Sequence, residues 1–395
     1  MPPPAPVSLC RVCDSPSPEP FFRLRDVPVQ DGLLWPTPQQ AADAPTGDIE
    51  LVFCPSCGYI GNRAFDPSRL RYDPGYDISL HHSPVYRRFI ADLVDRLVRA
   101  YDLREKTIIE IGSGKGDFLR ALCERGANRG LGFDPTSTAD RGDVSDPVQI
   151  RKEFYSERFA AEKADLLCCR HVLNSIADVH GFVGMVRRAL GDQHRSVVYF
   201  EVPDGAVIFR RRVVWNVVYE HCSYFTTPSL SRLFTGAGFS VQSIAPCFQQ
   251  EYLGIEATPG AAEGRRPLVH DAEVAALAAQ VETFGELYRE RIGRWEGWLA
   301  ELRRTGRSAV PWGAGARAVS FLSALRPGAE LPFLVDINPK RQGLFMPRTA
   351  QRVASPETLT ADPPDVILIT NPAFEPEIRN QAAALGLESD ILALD

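Results

Sequence analysis

The spacing of hydrophobic positions changes period along the chain, and each change marks an element. Residues 107–111 form a short β-branched apolar run, and beyond them Phe118, Leu119 and Leu122 recur at helical spacing. A strand, a turn and a helix are therefore predicted in that order. Apolar strands are predicted again at 129–134, 164–169 and 196–203, with a helix over 182–190 and a terminal strand pair at 239–244 and 252–257. Such alternation is the signature of a doubly wound α/β sheet. An amphipathic helix is expected over 84–101. Apolar residues at helical spacing from Val274 to Trp295 predict a long connecting helix, broken near Gly293. Strand-turn-helix logic then returns at 309–317, with strands at 333–336 and 365–371, so a second Rossmann-like unit follows the first.

The turn after the first strand carries Gly112, Gly114 and Gly116, where the backbone must bend sharply and approach a ligand closely. The following strand ends in Asp134, about 20 residues on, where a Rossmann-like unit places a carboxylate on ribose hydroxyls. Glu110 stands immediately before the glycines. An acid there repels a dinucleotide's pyrophosphate but welcomes a sulfonium and an amino group, which favours S-adenosylmethionine over NAD. The bare alternative is a tight strand-to-helix turn without a ligand. The strand at 164–169 delivers Arg170 and His171 to the same sheet edge, since ligands bind outside the carboxyl ends of parallel strands.

Composition changes the picture only at the N-terminus. With 395 residues, 44% hydrophobic content, 24% charged residues and a net charge of −6, the chain has room for two or three domains. Nothing is basic enough to suggest nucleic acid, and neither a signal peptide nor a membrane span is apparent, so a cytoplasmic location is expected. Of nine cysteines, four form two Cys-x-x-Cys knuckles, Cys10 with Cys13 and Cys54 with Cys57. Two such knuckles present four thiolates to one tetrahedral ion, and structural Zn2+ is the expected occupant; free thiols or a redox pair are the alternative. The proline-rich stretch between the knuckles is expected to be an irregular insertion with a few short strands.

Two further stretches carry chemistry. Residues 215–226 bring Tyr219, Glu220, His221 and Tyr224 together just after a strand end that points at the cofactor. Histidine titrates near neutrality and can take a proton from carbon beside a carbonyl, while a phenol can hydrogen-bond the developing enolate. Glu220 and His221 are neighbours, so on a regular element their side chains diverge. The aromatic stretch 72–82, which holds Tyr76, stands either as a cover over the glycine turn or as ordinary packing under a linker. In the second unit, the amides near Gly313 and Gly315, with Arg317, offer donors to a sugar nucleotide's diphosphate. A purely structural second half is the alternative. The run Arg210-Arg211-Arg212 is taken as a solvated face.

In this order the two cysteine knuckles, Glu110-Ile-Gly-Ser-Gly-Lys-Gly, Glu220-His221-x-Ser223-Tyr224-Phe225 and Trp312-Gly-Ala-Gly-Ala resemble the three-part C-methyltransferases of deoxysugar biosynthesis, over essentially the whole chain. The resemblance implies a zinc-binding domain (1–71), a class I methyltransferase domain (72–262), a connecting helix (263–305) and a C-terminal Rossmann-like substrate-binding domain (306–395). It also implies a monomer or homodimer acting on a nucleotide-linked 4-keto sugar. A base matching His221, with Glu220 beside it and Tyr76 and Tyr224 at hand, takes the C3 proton to give an enediolate that attacks the sulfonium methyl. Tyr219, Gly313, Gly315 and Arg317 fall to the substrate. The chain departs from the family at Val218-Tyr219, where members commonly carry Tyr-His, and at Asn174-Ser175, where many methyltransferases have Glu-His. Two other readings stay open, a methyltransferase of another small-molecule acceptor through oxygen, nitrogen or carbon, and a non-catalytic binding protein that keeps the fold.

Overall fold

The computed structural model describes residues 9–16, 20–71, 75–76, 79–137, 146–260, 271–326 and 331–395. Residues 72–74 and 77–78 of the aromatic stretch, and the domain boundaries drawn at 72 and 263, lie outside them. The cysteine-bearing segment is more regular than expected. Strands β1 (Phe22–Pro28), β2 (Thr46–Phe53) and β3 (Ile60–Asn62) pair antiparallel. In β2, Ile49, Leu51 and Phe53 turn inward, while Asp48 and Glu50 turn out to meet Arg25, Arg23 and Arg63. That period-two alternation is what a half-buried strand requires.

The central sheet is built from β4 (Thr107–Ile111), β5 (Arg129–Phe133), β6 (Val148–Arg151), β7 (Leu166–Arg170) and β8 (Val197–Pro203). The next strand, β9 (Ser223–Tyr224), leaves this sheet and pairs with β3. The chain then returns for β10 (Phe239–Cys247) and β11 (Tyr252–Pro259), giving the order β6-β5-β4-β7-β8-β11-β10 with β11 antiparallel to its neighbours. A second, wholly parallel sheet follows: β12 (Ala309–Trp312), β13 (Phe333–Val335), β14 (Arg352–Ala354), β15 (Val366–Ile369) and β16 (Asp390–Ala393), in the order β14-β13-β12-β15-β16. In both sheets the first strand lies inside and later strands are added on either side of it. The winding therefore reverses beside β4 and beside β12, and a crevice opens at the carboxyl ends of those strands.

Between the sheets run the helices Asp271–Glu282 and Phe284–Thr305. The break falls at Thr283, not at Gly293, which sits inside the second helix. A glycine in a helix costs only about 1 kcal/mol. Phe284, Tyr288, Trp295, Leu299 and Leu302 are all buried along this helix, and their packing outweighs that cost. Phe22 meets Phe284 and Tyr288 edge-on, and Trp215 meets Tyr288 and Phe321, so one core joins the N-terminal sheet, the 215–226 stretch and the C-terminal unit. Among the described residues no helix is long and apolar enough to cross a membrane.

Candidate active site

A single cleft of about 800 Å³ receives the carboxyl ends of both sheets, with Gly112 and Gly114 on one wall and Gly313 and Gly315 on the other. Tyr76, Glu220 and His221 also line it. The first turn is shaped by steric necessity. Gly112 has φ +71, and a Cβ there would lie 2.2 Å from Val172 Cγ2. Gly114 has φ +54 and no atom within 4 Å of the place a Cβ would take. Asp134 closes the turn from below: its Oδ2 accepts from the Gly114 amide at 2.7 Å, and its Oδ1 accepts from the Thr136 amide and hydroxyl. Gly116 does not line the cleft. Its Cβ position falls 2.7 Å from Ile150 Cδ1, so the third glycine serves the close approach of helix to sheet.

Glu110 is 3% exposed, and burial pushes its carboxyl up to about 8, against the opposing field of Arg170. Its Oε2 has no protein partner. Neither has Ser113 Oγ, Asn174 Oδ1 or His221 Nδ1, and all four residues line the cleft. Buried polar atoms ordinarily find partners, so four open ones around one space suit a polar ligand there. An acid whose anion is unsatisfied, beside backbone left clear at Gly114, fits the sulfonium and amino group of S-adenosylmethionine.

Arg170 and His171 reach the cleft as expected, but their partner is Glu201, which the sequence reading passed over. Arg170 donates to Glu201 Oε1 and to the Tyr86 hydroxyl, each at 2.8 Å, and lies 4.4 Å from the Phe118 ring centre. His171 Nε2 stands 2.8 Å from the same carboxyl oxygen and its ring meets Tyr252 edge-on. Burial alone would raise Glu201; Arg170 and His171 override it and hold the carboxyl well below the usual range. An acid within the apolar run of β8 was the available signal.

The 215–226 stretch divides. Glu220 is 2% exposed; its Oε1 accepts from the Tyr76 hydroxyl and its Oε2 from the Asp31 amide at 3.4 Å. Burial first, then the charge of the nearby Asp31 carboxyl, raises Glu220 well above the usual carboxylate range. His221 is half-buried and burial lowers its imidazole below 6.5, against the pull of Asp31. The ring is therefore neutral at neutral pH. Two tyrosines assigned here from sequence are placed elsewhere. The Tyr224 hydroxyl accepts from the Val218 amide and donates to the Val218 carbonyl, so this ring braces the loop from outside the cleft. The Tyr219 hydroxyl accepts from the Asp66 amide and donates to its carbonyl, also away from the cleft. Alternation along a chain does not reveal which way a side chain faces once the backbone is irregular.

At the second turn the amides of Gly313 and Ala314 are engaged, by the Val335 carbonyl and by Asp336 Oδ2, each at 2.7 Å. The donors left for a ligand are at the start of the helix Ala316–Ala324, whose N-cap, Gly315, brings no capping side chain. Arg317 lines the cleft but is 7% exposed and ties three segments together: Asn216, Asn371 and Glu251 each accept from its guanidinium.

Outside the lining of the cleft, the Sγ atoms of Cys10, Cys13, Cys54 and Cys57 all lie within 4.8 Å of one another, with Cys10–Cys57 at 3.7 Å and Cys13–Cys54 at 3.6 Å. A tetrahedral shell with bonds of about 2.3 Å has edges of about 3.8 Å, so the set fits one zinc ion.

Residues 81–244 match the family described as "Methyltransferase domain", and residues 269–389 match "C-methyltransferase C-terminal domain". A protein from Streptomyces niveus, C-methyltransferase NovU, is 25% identical over 392 residues, covering 94% of this chain and 91% of the relative. Among solved structures, N,N-8-amino-8-demethyl-D-riboflavin dimethyltransferase from Streptomyces davawensis is 19% identical, covers 44% of this chain and 56% of its own, and superposes with a TM-score of 0.36. Magnesium protoporphyrin IX methyltransferase from Synechocystis PCC 6803 is 13% identical over 45% of this chain and 84% of its own, with a TM-score of 0.35.

Proposed function

Because the chain belongs to the S-adenosylmethionine-dependent C-methyltransferases, we propose that it methylates a nucleotide-linked 4-keto deoxysugar at C3 through a base-generated enediolate. The observation that carries the reading is the one cleft that takes in the Glu110–Gly114 turn, the Tyr76, Glu220 and His221 cluster and the second glycine turn. S-adenosylmethionine supplies a methyl group made electrophilic by its positive sulfur. Glu110 receives the cationic end, and Asp134, set by three hydrogen bonds, receives the ribose hydroxyls. Gly315 and the start of the helix behind it face the acceptor's diphosphate.

His221 does the proton chemistry. A neutral imidazole on the cleft wall takes the C3 proton, and the electron pair left on carbon spreads onto the neighbouring carbonyl oxygen. Tyr76, held by Glu220, is placed to hydrogen-bond that oxygen. Zn2+ at the four cysteines is structural in this reading, since the knuckles stand apart from the cleft.

The test is incubation with methyl-labelled donor and a panel of nucleotide-linked 4-keto sugars, followed by mass spectrometry for a carbon-bound methyl. His221→Asn should abolish both methylation and solvent deuterium exchange at the acceptor carbon while donor binding persists. Exchange and turnover that survive the substitution rule out His221 as the base.

A further inference from the structure

The sequence alone gives Arg317 to the acceptor's diphosphate, and the structure engages its guanidinium elsewhere. Nε donates to Asn216 Oδ1 and Nη1 to Asn371 Oδ1, each at 2.6 Å, and Nη2 donates to Glu251 Oε2. Arg317 is 7% exposed and the Glu251 side chain 16%, and breaking so enclosed an ion pair would strand a buried charge. Asn216, Glu251 and Asn371 come from three distant parts of the chain, and all line the cleft with Arg317. The turn that delivers Glu251 is itself held under strain. Phe248, Gln249 and Gln250 have φ +38, +54 and +66, none is a glycine, and such a run persists only where the surroundings impose it.

Asn216 stands where the chain enters the loop that carries Glu220 and His221. Here the helix Ala316–Ala324 holds three consecutive residues. Phe321 meets the Trp215 ring edge-on at 5.1 Å, Arg317 takes Asn216, and Ser320 Oγ donates to the Val217 carbonyl at 3.3 Å. Arg317, Ser320 and Phe321 share one face of the helix by their spacing. The Trp215 ring also donates to the Asp395 carbonyl at 3.1 Å. Beyond Val217 the loop follows neither helix nor strand, so anchors of this kind decide where His221 comes to stand.

We propose that Arg317 is a positioning residue for proton removal: by fastening Asn216 to the second unit it sets the place of His221, and it is not a ligand of the diphosphate. The proposal rests on the C-methylation reading. The two roles open to one guanidinium differ in what they change. A phosphate ligand contributes binding that the ground state and the transition state share, so its loss raises the acceptor KM. An anchor of the base contributes when the C–H bond breaks, so its loss lowers kcat at an unchanged KM. The diphosphate is then left to the backbone amides at the start of the helix.

The experiment uses the panel sugar that the wild-type protein methylates at carbon; if it methylates none, the C-methylation reading falls and this proposal with it. Arg317→Lys and Asn216→Ala each break the link between helix and loop, and the second leaves the ion pair with Glu251 in place should the first not fold. In both, kcat and solvent deuterium exchange at C3 should fall together by roughly a hundredfold. The acceptor KM, donor affinity and the affinity for the sugar's free nucleoside diphosphate should stay within about threefold of wild type. Asn216→Asp keeps an oxygen within reach of Arg317 Nε and should recover most of both rates. A raised KM and weakened nucleoside diphosphate binding at unchanged kcat in Arg317→Lys would return this residue to the phosphate. Wild-type exchange in Asn216→Ala, or no recovery in Asn216→Asp, overturns the anchor.

Discussion

The two glycine turns are built alike and charged differently. In each, the acid at the end of the next strand accepts an amide of the turn at 2.7 Å, Asp134 from Gly114 and Asp336 from Ala314. In each, the first glycine has positive φ, and a side chain there would also meet a residue just past the neighbouring strand, Val172 for Gly112 and Thr370 for Gly313. The difference lies in what surrounds them. The first turn has buried Glu110 on the strand leading into it, where the second has Pro311. The second turn has Arg317, Lys340 and Arg341 along the cleft. Under the proposed reading one backbone device serves two ligands of opposite character, and the side chains beside it select between a cationic donor and an anionic acceptor.

That contrast is most exposed at the glycines themselves. Gly112→Ala forces a Cβ to within 2.2 Å of Val172 Cγ2, and a displacement of the turn by about 1 Å should weaken donor binding and turnover roughly a hundredfold, as read by calorimetry and initial rates. Gly313→Ala brings a Cβ to 2.5 Å from Thr370 Oγ1 and should raise the acceptor KM about tenfold while donor affinity holds. If both substitutions weaken the donor alike, the division between the turns is wrong.

The smallest expected effect sharpens the charge side of the contrast. With Glu110 pushed up to about 8, the free protein carries this proton at neutral pH, and a cationic ligand favours its loss. Donor affinity should therefore rise a few-fold between about pH 6 and 8, with proton release measurable in buffers of different ionisation heat. The folded state holds a proton here that the unfolded chain loses above its ordinary value of 4.5, so this group makes stability fall as pH rises from 4.5 to about 8. Glu110→Gln should flatten both dependences. An unchanged pH profile in that variant would remove Glu110 from donor recognition.

The sheet strands and both glycine turns were legible because continuous apolar runs and turn glycines are local signals. Glu110 was legible as a charge inside such a run; Glu201 sends the same signal in β8 and went unread. Asp31 offers nothing local. Its partner is 189 residues away, and only the tertiary fold brings the Asp31 amide to the Glu220 carboxyl. Tyr219 and Tyr224 were misplaced because residue type and spacing do not fix ring direction in a loop whose backbone follows neither helix nor strand. The N-terminal sheet was hidden by prolines, although the alternation Asp48-Ile49-Glu50-Leu51 was there to be read.

The pairing of β9 with β3 also sets an order of assembly. Both cysteine knuckles are complete once residue 57 has been made, and β1 to β3 can form by residue 62, yet the fourth strand of that sheet waits for Ser223 and Tyr224. At about 5 to 20 residues per second the ribosome takes roughly ten to thirty seconds to supply it. Through that interval β3 has an open edge, and the strand that finally covers it carries Glu220 and His221 into position directly ahead of it. The loop that holds Glu220 and His221 is therefore set against the oldest part of the nascent chain only after β4 to β8 have been made.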